Sequence, residues 1–515
     1  LLRWIKKLQK NICAWFSNLV PWTNYKRRIE VRFFLYEVTL LAFICFATAG
    51  CKSRNDSSSL LNSQVQPNSS LLGELAAAKD YTFNVMAPLT LPKNTEEWDS
   101  LASRLVRIRE LGAFAVSTDI WWGLVEAERD NKFDWSQYLR LAEVVSAAGL
   151  RWVPILSFHQ CGGNVGDDCS IPLPSWLWNK FPEARTVSEF GNSSSENISV
   201  WSTKQLLPQY VEFMRSFSKA FASYSKNIVE INISFGPAGE LRYPSYNSHD
   251  NGKTGYPTRG GFQGNSKEAR ESFRTFVIKK YGDLNTINTA WNTKILNMDQ
   301  INVPSDPGLF YRTNAWKSAY GGDLYQWYHE SLLEHGRLLG EAAIDELSSP
   351  SSSMRGIHLG GKVPGIHWRM KSDRLAELNA GLILVGSGAQ PSSNDYKSIV
   401  GLFSSLDQEA KRKNSRFILH FTCLEMGDNE NGNEAASLAK TLVEIVGEAA
   451  TKAGVIIKGE NALSGTLTNQ NAWDNMKSHI FSGPYKGLTI LRLDNILQSE
   501  VAARNFKEIV QQAGQ

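Results

Sequence analysis

From about residue 80 onward, short apolar runs alternate with longer stretches whose apolar residues recur at helical spacing. The runs cover 81–87, 113–118, 152–158, 228–235, 355–362, 417–423, 455–459 and 487–493. Each is short, and several are rich in β-branched or aromatic residues, which predicts buried strands. Stretches such as 96–111, 135–148 and 206–223 carry the helical period between them. Strand and amphipathic helix in alternation indicate a parallel α/β architecture. Eight candidate strands point to a closed (β/α)8 TIM barrel, with an open doubly wound sheet as the alternative. Two connections, 171–203 and 244–318, are longer than ordinary barrel loops, and long βα loops build the wall of an active site.

Composition narrows the partners. The chain has 515 residues, 42% apolar and 21% charged, which is a globular balance. Its formal charge of +4 is unevenly spread. Residues 1–51 hold eight Lys/Arg and two acids, while the remainder holds 47 basic and 49 acidic residues. A near-neutral folded part gives no support to a nucleic-acid partner, and a neutral polymer fits better. No Gly-x-Gly-x-x-Gly follows the first strand and no complete Gly-x-x-x-x-Gly-Lys-Ser/Thr loop occurs, which disfavours nucleotide binding. Sixteen Trp raise either sugar stacking or a large aromatic core.

Lys26, Arg27, Arg28 and Arg32 precede an apolar run over 33–49 and then Gly50-Cys51. A basic region, an apolar stretch and a small-residue exit form a secretory pattern. Cys51 after Thr48-Ala49-Gly50 is similar to the lipidated cysteine of a bacterial lipoprotein, although Thr48 stands where Leu is usual and Glu37 interrupts the apolar run. An uncleaved membrane anchor and simple secretion are the alternatives. Residues 52–78, Ser/Asn-rich, read as a flexible tether, and 79–515 as the catalytic domain. The expected location is outside the cytoplasm, either lipid-anchored or secreted. Cys161 and Cys169 enclose a short Gly-rich loop and are spaced to close a small disulfide in an oxidising compartment. Cys423 is then left over, and no C-x-x-C pair suggests a thiolate zinc site.

The chemistry begins with two carboxylates. Glu240 lies in Ser-Phe-Gly-Pro-Ala-Gly-Glu-Leu-Arg-Tyr-Pro-Ser-Tyr (234–246), and Glu460 in Gly-Glu-Asn-Ala-Leu (459–463). Each follows a candidate strand. Hydrolysis of a glycosidic bond needs one protonated acid for the leaving oxygen and one ionised carboxylate. Other polar residues also stand at predicted strand ends: Asp119, His159, Lys362, Thr422 and Arg492, with His367 just beyond the fifth. Strand C-termini of a barrel converge on one face, so these groups share one pocket in that fold.

These motifs resemble those of β-amylases, glycoside hydrolase family 14, over roughly residues 80–513. His-Gln-Cys-Gly-Gly-Asn-Val-Gly-Asp (159–167), the Glu240 peptide, Gly-Ile-His-Trp (365–368), Phe-Thr-Cys-Leu-Glu-Met (421–426) and the Glu460 peptide carry the resemblance. It implies an inverting exo-hydrolase that releases β-maltose from the non-reducing ends of α-1,4-glucans. Glu240 is then the general acid and Glu460 the general base. Asp119, His159, Asp167, Lys362, His367, Thr422, Asn461, Ala462, Leu463 and Arg492 match substrate contacts, and the 162–167 loop matches a lid. A second Cys after Val-Gly-Asp-Asp resembles the bacterial branch, in which the pair is a disulfide. No cofactor is implied, and a monomer is expected.

Bacterial relatives also imply a calcium site, here on Glu126, Asp130, Asn131 and Glu212. Gln209 replaces one carboxylate of that set. Calcium favours several oxygen ligands including carboxylates, so the loss points to weaker or absent binding. His329 and His335 are too widely spaced for His-Glu-x-x-His and read as a helix surface. A non-catalytic glucan-binding lipoprotein and a retaining glycosidase of another barrel family are the rival functions.

Overall fold

The computed structural model describes residues 81–163, 167–429 and 435–514, within a compact unit spanning Glu74–Gln515. The basic region, Cys51, the tether and the centre of the expected lid (164–166) lie outside the described residues.

Eight parallel strands close into a barrel. They are β1 (Thr82–Met86), β2 (Ala115–Trp121), β3 (Arg151–Ser157), β4 (Glu230–Ile233), β5 (His358–Val363), β6 (Phe417–Phe421), β7 (Ile457–Glu460) and β8 (Gly487–Ile490). Pairing of β1 with β8, from Thr82 opposite Gly487 to Val85 opposite Ile490, removes the open-sheet alternative. All eight predicted runs are strands. Asp119 falls inside β2 rather than at its end, because the ladder with β3 continues to Trp121 opposite Ser157.

Helices wrap the barrel: α1 (Thr95–Glu110), α2 (Ser136–Ala147), α3 (Thr203–Ala220), α4 (Ala319–Leu347), α5 (Lys397–Arg412), α6 (Ala439–Ala453), α7 (Gln470–Phe481) and α8 (Glu500–Gln512). α1 shows how sequence sets one of them. The Asn94 side chain accepts from the Glu97 amide at 2.9 Å and Glu97 reaches back to the Lys93 amide, a reciprocal cap. Trp98, Leu101, Leu105 and Ile108 then bury one face at helical spacing.

The barrel interior is polar at its centre. Glu230 on β4 accepts from the Lys458 ammonium on β7 at 2.7 Å and pairs with His420 on β6. Burial pushes the Glu230 carboxyl up, but Lys458 and His420 outweigh it and hold it well below the usual carboxylate range. Gly360 on β5 makes room: a Cβ there would lie 2.3 Å from Asn232 Oδ1 and 2.7 Å from Glu230 Oε1.

The long connections are folded rather than loose. Segment 171–203 holds the helix Ser175–Lys180 and a two-stranded hairpin. Segment 244–318 holds helices Lys267–Tyr281 and Leu284–Trp291. Aromatic residues pack them down, with Trp201 stacked on Trp327 at 5.1 Å and Phe262 against Tyr328 at 4.7 Å. Most of the tryptophan signal in the composition is therefore core packing.

His329 and His335 correct the helix-surface expectation, since both are buried. α4 lies between α3 and α5, which covers it on more than one side. His335 joins Thr203 Oγ1 at 2.6 Å to the Phe235 carbonyl at 2.6 Å, near the start of the Glu240 peptide. Burial holds the His335 imidazole down to about 4. Unfolded chains bind a proton there below about 6.5 while the folded chain does not, so this contribution is full above that pH and lost as pH falls toward 4. We expect His335→Gln to cost about 1–3 kcal/mol at neutral pH. In denaturant titrations the gap from wild type should narrow between pH 6.5 and 4; a gap independent of pH would contradict a neutral buried imidazole.

Candidate active site

A cavity of about 510 Å³ opens at the C-terminal ends of the strands. Its wall includes Asp119, His159, Asp167, Glu240, Lys362, His367, Thr422, Glu460, Ala462, Leu463 and Arg492. Eleven of the twelve residues assigned to catalysis or substrate binding from sequence thus meet in one place. Asn461 is the exception. It is fully buried, and its amide donates to the Leu491 carbonyl at 3.0 Å while accepting from the Leu491 amide at 2.8 Å. Its side chain holds the backbone before Arg492 instead of facing the cavity.

The two carboxylates have different electrostatic partners. Glu460 ends β7 and accepts from the Lys362 ammonium of β5 at 2.8 Å. Glu240 follows β4, and its backbone is fastened to β5 by the Leu241 amide donating to the Lys362 carbonyl at 2.8 Å. Arg242 Nε donates to Glu240 Oε2 at 2.7 Å. Burial raises the Glu240 carboxyl above its usual range; Arg242 and Lys362 oppose this, and the negative Glu460 adds to it. Arg242 was invisible as a functional group in the sequence, although it stands inside the Glu240 motif. A lone arginine two places from an acid carries no signal until the chain turns back.

The remaining polar groups are held by short hydroxyl contacts. Ser157 Oγ donates to Asp119 at 2.8 Å, and burial raises the Asp119 carboxyl against the pull of Arg492 and Lys362. His159 Nδ1 lies 2.8 Å from Ser234 Oγ, and burial, aided by Lys362 and Arg242, lowers it to about 3. His367 Nδ1 lies 2.7 Å from Ser437 Oγ, and burial lowers it to about 4. Both imidazoles are neutral at ordinary pH and can accept or donate to sugar hydroxyls. Thr422 Oγ1 accepts from the Gly365 amide at 2.8 Å. Asp167 Oδ2 accepts from the Gly162 amide at 3.2 Å, across the base of the expected lid. Cys161 and Cys169 stand at that base with Cα atoms 5.6 Å apart. Three cations (Arg242, Lys362, Arg492) face four acids (Asp119, Asp167, Glu240, Glu460) in the wall, and burial pushes Asp119 and Glu240 toward their neutral forms, which keeps the net charge small.

The residues named for calcium do cluster, but they do not form a calcium cage. Glu126 accepts from Trp122 Nε1 and from the Asn131 amide, both at 2.6 Å. Glu212 Oε2 accepts from the amides of Asn131 at 3.2 Å and Gln209 at 3.4 Å. Lys180 Nζ sits 2.6 Å from Asp130. Donors face these oxygens where a cation would need them open. Among the described residues, no group of three or more His, Cys, Asp or Glu is arranged to hold a metal ion.

A barrel whose strand ends bring two buried carboxylates into one polar cavity has the site of a glycoside hydrolase. Comparison with known proteins agrees. Residues 84–514 match the profile of Glycosyl hydrolase family 14. The chain is 38% identical to a β-amylase of Cytobacillus firmus over 82% of its length and 85% of that protein. It is 39% identical to a β/α-amylase of Paenibacillus polymyxa over 82% of its length, spanning only a third (33%) of that longer protein. The crystal structure of the β-amylase catalytic domain from Paenibacillus polymyxa superposes with a TM-score of 0.72 at 37% identity, covering 84% of this chain and 99% of that one. The chain belongs to glycosyl hydrolase family 14.

If donors have taken the place of a metal, EDTA or added calcium should leave the melting temperature of the wild-type protein unchanged. Replacing Gln209 by Glu restores a carboxylate and should make the melting temperature rise with calcium. A fall on adding EDTA to the wild type would contradict this reading.

Proposed function

We propose that this chain is an exo-acting, inverting β-amylase, a 1,4-α-D-glucan maltohydrolase that releases β-maltose from the non-reducing ends of starch-type α-glucans. One observation carries the reading. Two buried carboxylates from distant peptides line a single cavity in different settings: Glu460 lies against the Lys362 ammonium, while burial raises the Glu240 carboxyl despite Arg242.

In this reading Glu240 is the general acid and gives its proton to the glycosidic oxygen as the C1–O4 bond breaks. Glu460 is the general base. It takes a proton from water as the water oxygen bonds to C1 from the other face, so configuration inverts. Lys362, 2.8 Å from Glu460, is positioned to hold both the base and a glucose hydroxyl. Solvent then returns a proton to Glu240 and removes one from Glu460. Asp119, His159, Asp167, His367, Thr422, Ala462 and Arg492 bind hydroxyls of the terminal glucose units, and Leu463 packs beside the scissile bond. The main chain at Asn461 contributes in place of its side chain. The Gly162–Asp167 loop is the lid, and a Cys161–Cys169 disulfide closes its base. The glycines allow the movement a lid needs.

The basic and apolar N-terminal region with Cys51 supports export and a lipid anchor in the membrane, with the tether leading to a monomeric catalytic domain. Tryptic peptides run without reduction test the disulfide, and labelling with a radioactive fatty acid tests Cys51.

Proton NMR of fresh digests of maltopentaose tests the function. The expected first product is maltose as the β-anomer; α-maltose, or no loss of substrate, would overturn it. Glu240→Gln and Glu460→Gln should each lower kcat by about 10²–10⁴-fold. Near-full activity in either would contradict its assigned role.

A further inference from the structure

Glu425 lies in the loop after β6 and is almost wholly buried. It does not belong to the cavity wall, although Met426 beside it does. Its carboxylate instead faces the backbone just past the candidate base. Oε1 accepts from the Leu463 amide at 2.7 Å, and both oxygens accept from the Ala462 amide at 3.0 Å. The neighbouring Leu424 amide donates to the Glu460 carbonyl at 3.2 Å. Asn475 on α7 holds the carbonyl of Glu425 itself at 3.0 Å. Beyond this point the chain of contacts continues, since Asn461 clamps both polar atoms of Leu491, next to Arg492. Three successive loops, those after β6, β7 and β8, are thus linked through buried polar contacts that never enter the cavity.

We infer that Glu425 is a positioning residue whose carboxylate sets the backbone at Ala462 and Leu463, and so the placement of Glu460 and Leu463 against the substrate. This rests on the reading of Glu460 as the base. The chemistry at the contact is specific. Two adjacent amide donors point at one group, and a carboxylate offers only acceptors to meet them. Glutamine has the same shape but brings an NH₂ that faces at least one of those donors. Charge also matters, because hydrogen bonds to an ionised acceptor are shorter and roughly twice as strong as neutral ones. Aspartate keeps the charge but is one methylene too short to reach both amides. Leu463 is 37% exposed at the cavity; Thr466 Oγ1 holds its carbonyl at 2.6 Å, and Glu425 holds its amide. A displacement there of about 1 Å is enough to lose about 100-fold in rate.

Glu425→Gln and Glu425→Asp test the inference in the full chain, with Glu460→Gln measured beside them. Three readouts apply: kcat and KM on maltopentaose, the melting temperature, and hydrogen exchange of the peptide over 461–466. The expected result for Glu425→Gln is a fall in kcat of roughly 10- to 100-fold with a smaller change in KM. Exchange over 461–466 should quicken, while peptides of the barrel strands keep wild-type exchange. Glu425→Asp should fall between wild type and Glu425→Gln. A folded Glu425→Gln variant with wild-type kcat and wild-type exchange overturns the inference. So does a loss confined to melting temperature, which is what a merely structural role produces. If Glu460→Gln is active, the reading of the base fails instead. The exchange of 461–466 and the kcat of Glu425→Gln still decide whether Glu425 positions this loop.

Discussion

The buried ion pair between Lys362 and Glu460 is the interaction on which the site depends. The side chains are only 10% and 5% exposed. Removing such charges from water costs several kcal/mol each, and a buried charge survives only with a partner in good geometry. Two carboxylates cannot both be ionised in one dry cavity without matching cations. The barrel treats the two differently: Glu460 lies against Lys362, whereas burial and the charge of Glu460 push the Glu240 carboxyl toward its protonated form against the pull of Arg242. The acid–ammonium pairing is repeated one layer deeper. Lys458, two residues before Glu460 on the same face of β7, pairs with Glu230 on β4. The polar layer around Glu230 lies two residues beneath the catalytic ends of β5 and β7, and the small Gly360 leaves space for it.

That pairing also explains how the cavity suits its substrate. Its four acids and three cations nearly offset one another, so a neutral sugar meets a wall of oriented donors and acceptors and little net field. The neutral imidazoles of His159 and His367 add hydrogen-bonding capacity without adding charge. The hydroxyls of Ser157, Ser234 and Ser437, one step back from the cavity, fix the groups that face it. Glu425 and Asn461 do the same for the backbone.

The barrel was legible because its signal is periodic and local. Eight apolar runs separated by amphipathic stretches admit few folds, and polar residues at the ends of those runs converge once the sheet closes. The wall of the site followed for the same reason. What stayed hidden depends on contacts between distant segments. Arg242 and Glu425 look like ordinary charged loop residues until the loops fold back on Glu240 and on Ala462-Leu463. Asn461 sits in the right motif, but its orientation depends on Leu491, thirty residues on. The spacing of His329 and His335 reads as a helix surface, whereas α3 and α5 flank α4 and bury both. The acidic corner at Glu126 could not be read as closed without seeing Lys180, Gln209 and Asn131 deliver donors into it.

The central claim is a division of labour: a proton donor at Glu240 and a water activator at Glu460. A leaving group that needs no proton separates them most directly. For Glu240→Ala, kcat/KM should collapse on maltopentaose but fall far less on α-maltosyl fluoride, whose fluoride departs unassisted. Glu460→Ala should lose activity on both, because water still has to be activated. Equal losses on the two substrates for Glu240→Ala would contradict the account.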